Sequence, residues 1–202
     1  SRLMHDARMN ITDTTSSTSV TTVDVLGMPL AHVDEDAVLD HMFAAMAERR
    51  GGWLITANLD FLRRYVKEPA MRELYTSADL MVADGMPLVW ASRVLGNPLP
   101  ERVAGSALIY RFAERAARDG RRVYFLGGDP GAAEAAAAVL CGRYPGLNIC
   151  GHSSPRVSIP PTGAELSSIR AELGRTCPDL LLVGLGSPKQ EHLIRALRAE
   201  FP

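Results

Sequence analysis

Asp84, Arg102 and Gln190 are the residues of this chain whose types and settings could do chemistry. They lie in the segments Asp79-Leu-Met-Val-Ala-Asp84-Gly85-Met-Pro87, Glu101-Arg102-Val103-Ala-Gly105 and Leu181-Leu-Val-Gly184-Leu-Gly186-Ser187-Pro188-Lys189-Gln190-Glu191. Each reads as a strand that ends in a polar, glycine-bearing loop and then enters a helix. Ligands of open α/β sheets bind at the carboxyl ends of strands, in such loops. An acid there can take a proton from a nucleophile. A guanidinium can hold phosphate oxygens in a bidentate grip, and an amide can orient a ligand.

Each of these residues also has a local alternative. Asp84, followed by Gly85, can be the N-cap of a helix over 86–95 rather than a general base. Arg102 can be a solvated side chain paired with Glu101, worth little to stability, rather than a diphosphate clamp. Ser187-Pro188-Lys189-Gln190 matches a capping box with Ser at N-cap, Pro at N1 and Gln at N3. That alternative does not account for Lys189, nor for Gly184 and Gly186 ahead of it. Gly127-Gly128-Asp129-Pro130-Gly131 lies between a buried strand and a helix, with Asp129 suited to N-cap and Pro130 to N1. Its glycines allow a ligand close to the backbone, and free N–H groups at a helix start bind phosphate. It is neither a Walker loop nor GxGxxG, and a tight turn explains it equally well. Thr56-Ala-Asn58 ends its strand with two side chains able to bond a ligand hydroxyl, although both also favour turns. Asp34-Glu35-Asp36 formally matches the DxD with which many sugar-nucleotide transferases hold a divalent cation. Its place at a helix start favours acids for their own sake, and no metal site is expected there.

The elements that must position these residues follow from pattern. Val23–Leu26 predicts a short strand, with Gly27-Met-Pro29 after it, and Asp34 caps an amphipathic helix over 35–49. Gly51–Asn58 holds the next strand. Two short helices, 59–67 and 69–76, break at Pro69. Leu80–Ala83 is a strand, Met86–Leu95 a helix with Pro87 in its first turn, and Ser106–Asp119 a helix ended by Gly120. Arg121–Leu126 is a strand, 132–143 an alanine-rich helix, Leu147–Cys150 a strand and 151–161 a loop. Thr162-x-x-Glu165 is a capping box for a helix over 163–175. Asp179–Gly184 is the last strand, and a helix runs from Pro188 to the end. From about residue 105 onward, strands and helices alternate as in a parallel sheet covered on both faces. The expected division is a disordered Ser/Thr-rich leader over 1–22, a smaller N-terminal α/β lobe over 23–104 and a Rossmann-like lobe over 105–202, with the strand near 79–84 shared at their interface.

Composition narrows the function classes. The chain has 202 residues, 47% hydrophobic and 22% charged, enough for a globular core. A net charge of −1 gives no basic field to hold nucleic acid. Cysteines at 141, 150 and 177 form no CxxC pair, which suits a reduced cytoplasmic setting, and the histidines at 5, 32, 41, 152 and 192 are scattered without metal-ligand spacing. No apolar run is long enough to span a bilayer.

From Val23 to the C-terminus the chain resembles the WecG/TagA/CpsF family of glycosyltransferases. The resemblance rests on Thr56-Ala-Asn58, Ala78-Asp-Leu-Met-Val-Ala-Asp84-Gly85-Met-Pro87-Leu-Val-Trp90, Leu99-Pro-Glu-Arg102-Val-Ala-Gly105-Ser, Phe125-Leu-Gly-Gly128-Asp-Pro-Gly131, Tyr144-Pro-Gly-Leu147 and Pro178-Asp-Leu-Leu-Leu-Val-Gly-Leu-Gly186-Ser-Pro-Lys-Gln190-Glu191. Ordered segments at compatible spacing are far more specific than any one of them. After Gly151 the family often carries an aromatic stretch, and here His152-Ser-Ser-Pro155-Arg156 stands instead.

The resemblance implies a Rossmann-like, GT-E-like α/β fold. It also implies inverting transfer of an N-acetylmannosamine-type sugar from UDP to a polyprenyl-diphosphate-linked N-acetylglucosamine, in teichoic acid or exopolysaccharide synthesis, without a metal or other cofactor. It casts Asp84 as the general base, with Thr56, Asn58, Arg102 and Gln190 lining the same pocket. Gly127 and Gly128 would lie by the diphosphate. Family members usually continue past the position matched by Pro202, with a last strand and a basic segment thought to close over the site and touch the membrane. A cytoplasmic protein, peripheral at the inner membrane face, is the expected setting, and exposed apolar surface would favour self-association. Two other classes stay open: a UDP-sugar-binding protein without turnover because that last segment is missing, and an unrelated Rossmann-like nucleoside- or dinucleotide-using enzyme, which the lack of GxGxxG disfavours.

Overall fold

The computed structural model describes residues 20–198, 200 and 201. The first elements are β1 (Thr22–Val25), β2 (Met28–Ala31), α1 (Glu35–Ala47), β3 (Leu54–Ala57), α2 (Leu59–Lys67), α3 (Pro69–Thr76), β4 (Leu80–Ala83) and α4 (Met86–Val94). Then come α5 (Gly105–Asp119), β5 (Arg122–Gly127), α6 (Ala132–Arg143), β6 (Asn148–Ser153), α7 (Gly163–Thr176), β7 (Leu180–Gly184) and α8 (Lys189–Leu197). The alternation expected from residue 105 onward is realised as an all-parallel sheet of order β6-β5-β7.

Strand periodicity decides which helices cover which face. Along β5, Val123 and Phe125 point into a core shared with Leu108 and Phe112 of α5 and Leu140 of α6. Tyr124 and Leu126 point the other way, onto Ile169 and Leu173 of α7 and Leu193 and Leu197 of α8. Each such fully buried side chain contributes roughly 1.5–3 kcal/mol. The N-terminal half holds a parallel pair, β3-β4, and an antiparallel hairpin, β1-β2. Alternation also divides β4: Met81 and Ala83 join the N-terminal core, whereas Leu80 and Val82 join the core of α1, α5 and β5. One apolar core therefore runs through both halves.

The helix signals held where side chains supply caps. Asp34 Oδ1 accepts from Ala37 N at 2.8 Å at the start of α1. The Thr162–Glu165 capping box forms at α7, and Gly120 ends α5 in the left-handed region at φ 65°.

Several expectations are corrected. Met28–Ala31 is a strand, paired to β1 through a two-residue turn at Leu26 and Gly27, φ 54° and 87°. Leu-Gly lacks the Asn-Gly or Asp-Gly signature of such turns, so the pattern concealed it. Strand β6 continues to Ser153, three residues beyond expectation, because Gly151 leaves room for the Tyr124 ring. A Cβ at 151 would stand 2.6 Å from Tyr124 Cε2. The Tyr124 hydroxyl then donates to Ser153 Oγ at 2.9 Å. Of the expected leader over 1–22, residues 1–19 lie outside the described residues, while Thr21 and Thr22 belong to the hairpin: His32 N donates to Thr21 O, and Thr22 pairs with Ala31.

Candidate active site

A cleft of roughly 900 Å³ runs along β3 and β7, from Gly51 and Pro178 ahead of them to Asn58 and Gly186 beyond them, and the carboxyl ends of β4 and β5 also open onto it. Thr56 and Asn58 reach it from the end of β3, Asp84 from the end of β4, Gly127 and Gly128 from the end of β5, and Gln190 from the start of α8 after β7. The register places Ala57 opposite Ala83, so Asn58 and Asp84 leave their strands side by side. Asp84 N donates to Ala57 O at 2.7 Å, which fixes the turn. Arg102 is exposed and does not line the cleft wall, unlike the other expected site residues.

The Asp84 carboxylate is half-buried and does not cap α4, whose N-cap is Gly85 without a side-chain bond. Instead Asp84 Oδ2 accepts from Gly105 N at 3.0 Å, at the uncapped start of α5. The acid is anchored by one oxygen to a helix N-terminus, where the dipole favours negative charge. Its other oxygen remains for chemistry. Gly105 makes this approach feasible: a Cβ there would stand 2.8 Å from Thr56 Oγ1 and 3.4 Å from Asp84 Oδ2. Three residues from three elements thus meet at one point. Glu101, the expected partner of Arg102, accepts from Glu35 N at 2.9 Å instead. Among the described residues Arg102 makes no ion pair.

Asn58 is both cap and site. Its Oδ1 accepts from Asp60 N and Phe61 N at 3.0 and 3.3 Å, so its amide nitrogen is the end left for a ligand. On the opposite side of the cleft, Gly128 N donates to Gly184 O at 2.7 Å. At Gly127, φ 111°, a Cβ would stand 2.7 Å from the carbonyl of Gly184. These glycines bring two strand ends into backbone contact, leaving a bare floor. Helix α6 begins at Ala132 as expected, but its N-cap is Gly131 rather than Asp129, which contributes only its carbonyl, to Ala132 N at 2.9 Å.

The Ser187–Gln190 capping box does not form. Helix α8 starts at Lys189 behind Pro188, with no side-chain cap. Ser187 Oγ lies 3.4 Å from the Tyr75 hydroxyl of α3, and Gln190 Nε2 donates to Glu191 Oε1 at 2.9 Å. Glu191 is 1% exposed and also lines the cleft, and burial pushes its carboxyl above the ordinary glutamate range. No role was expected of Glu191 or Gly105. The signal for Glu191 was its spacing: it falls three residues before Ile194 and so shares a helix face with an apolar residue.

The acids of the formal DxD are engaged elsewhere. Asp34 caps α1, and Asp36 pairs with Arg111 of α5. Among the described residues, no group of three or more His, Cys, Asp or Glu is placed to hold a metal ion.

Residues 23–202 match the family described as "Glycosyl transferase WecG/TagA/CpsF family". The chain is 29% identical over 159 residues to a protein of Bacillus spizizenii named N-acetylglucosaminyldiphosphoundecaprenol N-acetyl-beta-D-mannosaminyltransferase, an alignment covering 77% of this chain and 58% of that one. It is 28% identical over 181 residues to a Staphylococcus aureus protein of the same name, covering 89% of this chain and 69% of the relative. The chain thus spans 58 to 69% of the length of these curated relatives.

Proposed function

The chain belongs to the WecG/TagA/CpsF family of glycosyltransferases, and on that premise we propose that it moves an N-acetylmannosamine-type sugar from a UDP-sugar to a polyprenyl-diphosphate-linked N-acetylglucosamine. The observation that carries the proposal is the convergence of Thr56, Asn58, Asp84 and Gln190 on one cleft at the carboxyl ends of parallel strands. The names of the relatives supply the sugar and the lipid-linked acceptor.

The chemistry is a single inverting displacement. Asp84, anchored through Oδ2 by Gly105 N, takes the proton of the acceptor hydroxyl as that oxygen attacks the anomeric carbon. The new glycosidic C–O bond forms on the face opposite the nucleotide, the bond to the diphosphate breaks, and UDP departs with its electron pair. Gly127 and Gly128 keep side chains off the cleft where the diphosphate would lie, and the start of α6 adds its dipole. Arg102, solvent-facing and three residues before Gly105, is the cation assigned to the leaving charge. Asn58 and Gln190 orient sugar or acceptor. No step is assigned to a metal, because Asp34 and Asp36 are held in a cap and an ion pair. Among the described residues no helix is long and apolar enough to cross a membrane. The proposed place of work is the inner membrane face, where the acceptor's diphosphate would present the sugar.

The test is transfer from UDP-N-acetylmannosamine to a short-chain lipid-diphosphate N-acetylglucosamine, read by mass spectrometry with Asp84→Asn alongside. A disaccharide product is expected, and the variant should turn over about a hundredfold or more slowly with UDP affinity little changed. A variant of near-normal rate would remove Asp84 as the base.

A further inference from the structure

Glu191 is a carboxyl group buried without an obvious purpose. It is 1% exposed in the first turn of α8, and among the described residues its Oε2 has no hydrogen-bond partner. A helix N-terminus favours an acid, but that effect does not require burial. For stability alone, an apolar side chain of similar volume would serve as well or better, since a buried carboxyl with an idle oxygen is costly. What the burial achieves is a fixed neighbour for Gln190, whose Nε2 donates to Glu191 Oε1 at 2.9 Å.

A glutamine amide has two ends of nearly equal shape and opposite polarity. Left free at a cleft wall, it could offer a ligand either a donor or an acceptor. Glu191 Oε1 is an acceptor whether or not Oε2 carries a proton, so it pairs with the amide nitrogen and repels the amide oxygen. Ser187, just before α8, and Tyr75 of the facing helix α3 close the cluster, with their hydroxyl oxygens 3.4 Å apart. We infer that Glu191 is a positioning residue that fixes the polarity of the Gln190 amide, so that the cleft presents a carbonyl acceptor to a hydroxyl or N–H donor of the bound sugar. This inference rests on the assignment of the cleft to a sugar nucleotide. A sugar analogue without a donor at that position would leave the carbonyl unpaired and be rejected.

The test joins calorimetric binding of UDP-N-acetylmannosamine and of UDP with NMR of the Gln190 side-chain amide. Glu191→Leu should weaken binding of the sugar nucleotide about tenfold, with UDP affinity unchanged and the melting temperature not lowered. Glu191→Gln retains an acceptor oxygen and should stay within about threefold of the parent. Adding Gln190→Ala to Glu191→Leu should cost nothing more, because one residue acts through the other. In the ligand-free parent chain, one Gln190 Nε2 proton should be slow to exchange. Equal sugar-nucleotide affinity in parent and Leu variant, equal losses for UDP, or additive effects would each overturn the inference. A solvent-like Gln190 amide in the parent would do so even if the Leu variant failed to fold. A parent chain that binds neither UDP nor the UDP-sugar would instead refute the assignment of the cleft, while the amide signal still decides whether Glu191 holds Gln190.

Discussion

Asp84 illustrates how a residue's partner, rather than its type, fixes its role. An acid after a strand and before a helix suits a cap, yet the amide that it accepts from is Gly105, twenty-one positions on, and not the helix that follows it. Arg102 is the converse case. Its type suits a diphosphate, but its side chain is solvated, so any contribution is a screened, surface one. Arg102→Ala should weaken UDP binding about three- to tenfold, more at low salt than at high. Calorimetry showing equal affinity at both salt concentrations would remove the clamp. Glu191 adds a pH dependence. Burial raises its folded carboxyl above the ordinary 4.5, so the folded state holds the proton more tightly than the unfolded chain does. The associated stabilisation is fully present below 4.5 and is lost as pH rises through the raised folded value. Stability of the parent minus that of Glu191→Gln should therefore be greatest in acid and decline upward from pH 4.5, as measured by denaturant unfolding across pH. A difference that stays flat or grows with pH would contradict the burial of this group.

At the level of elements, the site is made by strand ends brought to a common edge. The β5–β7 junction depends on Gly127, where φ is 111° and a Cβ would meet the Gly184 carbonyl at 2.7 Å. Gly127→Ala should cost about 2–4 kcal/mol from backbone strain and overlap together. Gly142, inside α6 with open space around it, is the control: Gly142→Ala should stabilise by about 0.5–1 kcal/mol. Thermal and denaturant unfolding of the pair would show whether the two glycines differ as stated, and an unharmed Gly127→Ala would mean the junction can open. Where a cap was encoded within three residues, as with Asp34 and Thr162, the element formed as its pattern implies. Where partners lie far apart, local pattern misled: Asp129 and Ser187 have capping side chains, yet α6 and α8 start beyond them.

Across the whole molecule, one core extends from the N-terminal half into the C-terminal half, with β4 contributing to it. Val38, Leu39, Met42 and Phe43 of α1 and Leu80 and Val82 of β4 pack in the same cluster as Val123 and Phe125 of β5. Unfolding should accordingly be a single cooperative transition. The fluorescence of Trp53, buried in the N-terminal core, should change together with the far-ultraviolet circular dichroism of the entire chain. Two separated transitions would show that the halves unfold independently. The sequence by itself determined the order of helices and parallel strands, the α/β class, the strand-end positions of Thr56, Asn58 and Asp84 and the helix-start position of Gln190, because periodicity and short-range capping are local. Tertiary structure alone decided that Gly105 anchors Asp84, that Glu191 is buried beside Gln190, and that Arg102 faces solvent. Those outcomes depend on which distant segments pack together: spacing puts Glu191 on a helix face with Ile194, but it encodes none of the long-range partners.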